Sequence, residues 1–286
     1  MSRQPPAVDR APHRLERAHR RVLASPLGLA WNRGREMELF HRAMGFAALA
    51  FLTLVPLLVV VAAADPASGQ GFARWLGQAL GVSPASQREI EEVFGLPGTA
   101  LQRTTAFGLA ALAAFGLTFG SAVQTGYEKV WDLPTARWHT MWRHVVWLAV
   151  LIFCLLLFVN TPVPTGQAVR TAGAALADLA GTCLFFWFSQ RILLGGRVRW
   201  SALLPGAVLT ALAMLGLRVF SQFVFSPLIA SNAVTYGPFG TVLVLQSWLV
   251  GVGVVVYGGA LAGRLVHEAR VHRRLARALP PRAEDR

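Results

Sequence analysis

Six long stretches of apolar residues divide the chain, and short polar segments separate them. A helix that crosses a bilayer needs about 20 mostly apolar residues. The stretches reach this length at residues 43–64, 104–127, 144–163, 169–190, 200–223 and 238–262. A lipid-exposed chain must satisfy its own backbone hydrogen bonds, and no alternating strand pattern indicates a barrel. The sequence therefore predicts an all-α membrane protein with six transmembrane helices.

Composition supports this prediction. Of the 286 residues, 54% are hydrophobic and only 14% are charged, whereas a soluble domain has about 25% charged residues. So few charges do not cover the surface of a soluble protein of this size, which argues against a cytosolic enzyme and excludes a disordered or disulfide-rich secreted chain. Cys154 and Cys183 lie inside apolar stretches, and we interpret both as small apolar side chains.

The basic residues are distributed unevenly between the two sides of the predicted membrane. Of the 27 lysines and arginines, 22 lie in the two termini and in the loops after the second and fourth spans, and four lie in the opposite loops. Positively charged segments stay in the cytoplasm. We therefore expect both chain ends in the cytoplasm, with a basic N-terminal segment (1–42), a membrane domain (43–263) and a basic tail (264–286).

Two amphipathic regions lie outside the predicted spans. Residues 65–103 form the largest extracytoplasmic segment, and their apolar residues recur at helical spacing, which predicts short helices that cap the outer face. The sequence Ser25-Pro26 is typical of a helix start. The helix that follows carries Trp31, Met37 and Phe40 among arginines, so we expect it at the lipid interface.

Signatures of catalysis are missing from the sequence. It contains no phosphate-binding loop, no zinc-ligand spacing and no nucleophile elbow, and its acidic residues do not gather as a two-metal nuclease requires. The seven histidines, His144 included, lie among arginines and are interpreted as solvated or interfacial. We expect no enzymatic activity, cofactor or metal. Membrane orientation and anionic lipid headgroups explain the arginines, so nucleic acid is not an expected partner.

Polar residues inside the spans are the candidate functional residues. Asp178 lies near the middle of the fourth span, and Arg218 lies about one turn inside the outer end of the fifth. A lone carboxylate in the membrane costs about 2.5–3.5 kcal/mol, so we expect the two to face a shared interior, as a structural pair or as part of a polar cavity. Gln246 and Tyr236 are further candidates for the cavity lining, although polar residues of this kind also serve as interhelical hydrogen bonds.

Two pairs of glycines predict close helix packing. Gly116 and Gly120 in the second span, and Gly259 and Gly263 in the sixth, each lie on one helix face and allow another backbone to approach. Within one polytopic chain this pattern favours intramolecular packing over dimerisation.

Four segments resemble a known family in the order in which they occur. They are residues 42–58, Tyr-Glu-Lys-Val-Trp-Asp-Leu-Pro at 127–134, Arg-Val-Arg-Trp-Ser-Ala-Leu-Leu-Pro-Gly-Ala at 197–207, and Tyr-Gly-Pro-Phe-Gly at 236–240 with Gln-Ser-Trp-Leu at 246–249. The set resembles the YihY/virulence factor BrkB family of bacterial inner-membrane proteins. This resemblance implies a six-helix protein of the bacterial plasma membrane that is linked with envelope integrity. Ala260 departs from the family, which often carries a glutamate there.

Two functions remain open at this level. The first is transport or export of a lipid-like or amphipathic envelope compound through a cavity lined by Asp178, Arg218, Gln246 and Tyr236. The second is a non-transporting scaffold that stabilises the envelope by binding partners through its outer helices and basic tails.

Overall fold

Helices make up nearly all of the structure. The computed structural model describes residues 26–64, 77, 87–88, 90–91, 98–135, 141–160, 172–236 and 238–278. Its seven long helices within these ranges are α1 (Pro26–Glu36), α2 (Leu39–Ala64), α3 (Gly98–Val130), α4 (Met141–Asn160), α5 (Ala172–Leu193), α6 (Trp200–Tyr236) and α7 (Pro238–Ala278). The described residues contain no strand, so the all-α prediction is confirmed for them. Most of the predicted cap at 65–103, residues 1–25 and residues 279–286 lie outside the described ranges.

A sharp bend separates α1 from α2. The two helices meet at 64°, and Glu38 at the bend has a φ of 52°. Met37 is buried there, and its carbonyl accepts a hydrogen bond of 3.0 Å from Arg42 Nε. The expected helix after Ser25 is therefore present, but it ends at Glu36, because the chain turns at Met37 and Phe40 already belongs to α2.

Within the described residues, three helices are long and apolar enough to cross a membrane on their own. They comprise Phe107–Val130, Trp200–Val224 and Phe239–Leu275, and the bent pair α1–α2 makes a fourth candidate. The apolar part of α4, Met141–Leu157, is shorter. Each of the six predicted spans overlaps one of the helices α2 to α7, although residues 161–163 of the third span and 169–171 of the fourth lie outside the described residues. The count of six crossings remains a prediction, and α4 and α5 are not among the helices that meet the length and apolarity of a span.

Helices α6 and α7 extend well beyond the predicted spans. The apolar pattern predicts that the fifth span ends at about residue 223 and the sixth at about residue 262, but α6 continues to Tyr236 and α7 continues to Ala278. The prediction used the length that a bilayer requires, whereas backbone hydrogen bonding does not require a helix to end at a membrane surface. Arg218 consequently lies in the middle of α6 and not one turn from its end.

Aromatic side chains join four helices at the centre of the bundle. Phe46 of α2 contacts Phe119 of α3 edge-on, with ring centroids 5.0 Å apart, and Phe119 contacts Trp147 of α4 at 5.6 Å. Tyr257 of α7 lies 5.9 Å from Phe46, and its hydroxyl donates to the Ala122 carbonyl at 3.3 Å. Edge-to-face pairs of this kind stabilise a core beyond the area they bury.

Both predicted glycine pairs lie at helix–helix contacts. A side chain at Gly116 would collide with Leu148 of α4, and one at Gly120 would press on His144 and Trp147. Gly259 faces Thr210 of α6, and Gly263 faces the backbone of Gly206. Small residues at these positions let the helices approach closely, which is a main source of helix association in membranes.

Candidate functional site

Asp178 and Arg218 lie together between α5 and α6. Arg218 Nη1 is 3.5 Å from Asp178 Oδ2. Of the two side chains, 41% of Asp178 and 27% of Arg218 remain exposed. The chain brings them together because α5 and α6 are joined by the short turn 194–199 and run in opposite directions. The two residues thus form an ion pair that is only half buried, and a role in lining a cavity remains a prediction.

Within the described residues, no contact joins Gln246 or Tyr236 to Asp178 or Arg218. Gln246 lies in α7 with its Oε1 atom buried and without a hydrogen-bond partner. Leu217, which precedes Arg218, packs at the position of Gly251, little more than one turn beyond Gln246. Gln246 is therefore near the level of the pair along the bundle. Tyr236 is the last residue of α6, and its side chain lies outside the described part of the chain.

A second group of polar residues, centred on the buried Glu128, lies where α3 ends. Glu128 of α3 is buried, with 2% of its side chain exposed, and its Oε1 accepts hydrogen bonds from Gln124 Nε2 at 2.8 Å and from Arg197 Nη2. Since the Gln124 amide nitrogen is used in this way, its oxygen accepts the 2.6 Å bond from His144 Nε2. The carboxylate charge is therefore stabilised by a guanidinium and an amide.

Arg197 connects three segments of the chain. Besides Glu128, it donates to the carbonyls of Leu194 at 2.9 Å and Pro134 at 2.7 Å. Arg264 of α7 also contacts the segment at the end of α3 that contains Pro134. It pairs with Asp132 at 2.8 Å and donates to the Val130 carbonyl at 2.7 Å. It also pairs with Glu268 at 2.6 Å. We call this group the polar cluster; its members are Gln124, Glu128, Asp132, His144, Arg197, Arg264 and Glu268.

The polar cluster corrects one interpretation and adds residues that the sequence analysis missed. The sequence predicts a solvated or interfacial His144, but His144 is buried. Gly120 leaves room for it against α3, and Gln124 Oε1 accepts a hydrogen bond from its ring. Glu128 and Arg197 were not named as candidates. The available signal was the spacing of Gln124 and Glu128, which places two polar side chains on one helix face at the end of a predicted span.

Two cavities lie near the polar cluster. One of about 440 Å³ runs along the α5–α6 turn and is lined by Arg191, Gly196, Arg197, Arg199, Trp200 and Ser201. A smaller one of about 130 Å³ lies between α1, the end of α3 and α7, and its lining includes Arg33, Glu36, Asp132, Arg264 and Glu268. Neither of these two cavities is lined by Asp178 or Arg218.

Segments that carry the family resemblance meet in this region. Residues 127–134 contain Glu128 and Asp132, and residues 197–207 begin with Arg197, so the ion pair between Glu128 and Arg197 joins two of the four segments. The family model described as virulence factor BrkB matches residues 30–284. The chain belongs to the virulence factor BrkB family.

The BrkB model covers all seven described helices apart from the first residues of α1, so the family membership predicted from sequence is confirmed. No match was found among curated proteins or among solved structures. Across the described ranges of this BrkB-family protein, no group of three or more His, Cys, Asp or Glu side chains is arranged to hold a metal ion. Family membership and the apolar helices together identify a membrane protein.

Proposed function

We propose that this protein moves a lipid-like or amphipathic envelope compound across the plasma membrane, and that the Asp178–Arg218 pair contacts the polar part of that compound. The observation that carries the proposal is the half-buried state of the pair, with 41% of the Asp178 side chain exposed. Ionisable side chains within spans almost always face the bundle interior or a water-filled cavity, and they mark substrate and ion pathways; a pair that the protein itself leaves half exposed therefore favours contact with such a cavity.

The surface around the pair is of mixed character. Leu176, Leu215 and Val219 are exposed large apolar side chains on the same two helices, and Gln222, one turn after Arg218, is exposed as well. A hydrocarbon environment satisfies the leucines and the valine but not the ion pair. An amphipathic compound supplies both kinds of contact at once, because its headgroup meets the charges while its tails remain among the apolar side chains.

Translocation of a fluorescent phospholipid in liposomes tests this proposal. We expect the purified protein to accelerate translocation above the rate in empty vesicles and the Asp178→Asn variant to lose most of that acceleration. Glu268→Gln is the matched control, because Glu268 is also in an ion pair and is 39% exposed, but it lies in the polar cluster. Equal rates for the native protein, both variants and empty vesicles would contradict the proposal.

Exchanging the two charges separates a substrate contact from a purely structural pair. The double variant Asp178→Arg/Arg218→Asp restores an ion pair with opposite polarity. If the pair only holds α5 against α6, the exchange restores the rate that Asp178→Asn loses. We expect no restoration, since a headgroup that is oriented by the native charges meets the reversed ones.

A scaffold function is the second candidate, and the end of α7 favours it. This helix continues to Ala278 and exposes Arg273, Arg274 and Arg277. A basic helix of this kind suits an acidic protein partner or the membrane surface. The test replaces these three arginines with glutamine and measures envelope integrity in cells and lipid translocation in liposomes. Weakened envelope integrity with unchanged translocation would favour the scaffold over the transporter.

A further inference from the structure

The turn between α5 and α6 concentrates positive charge around a cavity. Arg191, Arg197 and Arg199 line the cavity of about 440 Å³, together with Gly196, Trp200 and Ser201. We call this cavity the α5–α6 groove. Its volume is within the range of about 300–1,000 Å³ that small-ligand sites occupy. Among the described residues, no acidic side chain lines it.

Only one of the three arginines is neutralised by a carboxylate among the described residues. Arg197 pairs with Glu128. Arg191 instead donates to the carbonyls of Gly196 at 2.8 Å and Val198 at 2.5 Å, which carry no net charge. Arg199 has no side-chain hydrogen bond or ion pair in the described part of the chain. The groove therefore has two uncompensated guanidinium charges, and an anion is the ligand that complements them.

The groove is held in shape by its own turn. Gly195 and Gly196 both have positive φ values, 64° and 76°, which glycine adopts without the strain that other residues incur. A side chain at Gly195 would collide with the Arg143 guanidinium, and one at Gly196 would press on Arg191. Arg191 also lies over the ring of Trp200, 5.2 Å from its centroid. The cationic side chain is thus fixed before any ligand binds, which reduces the entropy lost on binding.

Aromatic and apolar side chains extend from the groove along the exposed surface of α5 and α6. The rings of Trp187 and Trp200 are 4.8 Å apart, and Trp187 Nε1 donates to the Trp200 carbonyl at 2.9 Å. Tryptophan is enriched where membrane meets water. Beyond Trp200, the large apolar side chains of Leu204 and Val208 are exposed on successive turns of α6. A small soluble anion gains nothing from contact with Leu204 and Val208, whereas an acyl chain packs against both.

We propose that the α5–α6 groove binds the phosphate headgroup of an anionic phospholipid, with an acyl chain along Leu204 and Val208. Arg191 and Arg199 supply the positive charge, and Trp200 lies at the boundary between headgroup and chain. The site does not depend on the transport proposal, because binding is measured without translocation.

Native mass spectrometry of the full-length protein in detergent tests the site with two lipid probes. We expect phosphatidylglycerol to bind more tightly than phosphatidylcholine. Arg199→Gln should weaken phosphatidylglycerol binding about fivefold, the contribution of one interfacial cation, and Arg199→Lys should retain most of the affinity. Arg199 forms no side-chain hydrogen bond in the described part of the chain, so its replacement should leave the fold intact, which circular dichroism verifies.

The control for general electrostatic attraction is Arg270→Gln, which removes the same charge from the exposed part of α7. We expect less than about a twofold effect there. Equal weakening by Arg199→Gln and Arg270→Gln would overturn the proposal. Displacement of the lipid by millimolar inorganic phosphate would also overturn it, because the groove would then be a site for a soluble anion.

Discussion

Glu128 and Asp178 are both carboxylates paired with an arginine in the helices of a membrane protein, but their surroundings differ. Glu128 is 2% exposed and accepts hydrogen bonds from Gln124 and Arg197. Asp178 is 41% exposed, and its contact with Arg218 spans 3.5 Å. Along α5, Asp178 lies about 22 Å from the turn that contains Arg197. The two ion pairs therefore occupy separate places in the bundle.

The difference indicates separate roles. A buried carboxylate with several donors is held in one geometry, and the loss of any donor leaves charge without compensation. A half-exposed pair adds little to stability and leaves one side of each charge accessible. We therefore assign the polar cluster to the fold, where it fastens the end of α3 to the α5–α6 turn and to the interior of α7, and the Asp178–Arg218 pair to the proposed function.

Replacing each arginine by glutamine is the strongest way to test this difference. Arg197→Gln leaves Glu128 buried without its cation, and we expect it to lower the free energy of unfolding by about 3 kcal/mol, the low end for buried pairs because Arg197 is partly exposed. Where the Asp178–Arg218 pair faces a hydrated pathway, as proposed, Arg218→Gln should lower it by less than about 1 kcal/mol; in contact with hydrocarbon, the unpaired Asp178 would raise the loss to about 2.5–3.5 kcal/mol. Denaturant titration in mixed micelles, followed by circular dichroism, measures both. Equal losses would mean that the surroundings of the two pairs do not determine their roles.

The architecture was largely predictable from sequence, and the exceptions have physical causes. Apolar length alone located α2 to α7, because a spanning chain must be helical to satisfy its backbone. It did not locate the ends of α6 and α7, since a helix need not end where its apolar stretch ends. The bend at Glu38 depends on a positive φ at a residue that does not favour it, and no glycine, asparagine or proline at that position signals a turn.

The candidate site was predictable only in part. Asp178 and Arg218 were recognisable because isolated charges inside apolar stretches are costly, and antiparallel neighbouring helices bring them together. The partner of Glu128 was not recognisable, since Arg197 lies far along the chain in a turn and looks like an ordinary orientation signal. The prediction of a solvated or interfacial His144 was wrong, because the burial of His144 depends on Gly120 of another helix.

Glutamine residues extend the comparison to uncharged groups. Gln124 is buried and bonds both Glu128 and His144, whereas Gln222 is exposed beside Arg218. Gln124→Leu removes one of the two donors to Glu128 and leaves His144 Nε2 without its Gln124 acceptor, so we expect a loss of about 1–3 kcal/mol in unfolding free energy. Gln222→Leu should change it by no more than about 0.5 kcal/mol. The same micelle titration distinguishes the two variants. A large loss for Gln222→Leu would mean that the region around Asp178 and Arg218 contributes to the stability of the fold.

The smallest expected effect compares two half-exposed acids directly. Glu268 is 39% exposed and Asp178 is 41% exposed, and each is paired with an arginine. Because Arg264 keeps Asp132 and the Val130 carbonyl as partners, Glu268→Gln should lower the unfolding free energy by only about 0.3–0.5 kcal/mol. Asp178→Asn should cost little more than that. If the two variants match in stability while only Asp178→Asn slows translocation, the effect on transport cannot be attributed to a weakened fold. A stability loss for Asp178→Asn comparable to that for Arg197→Gln would instead make the Asp178–Arg218 pair a structural element like the polar cluster.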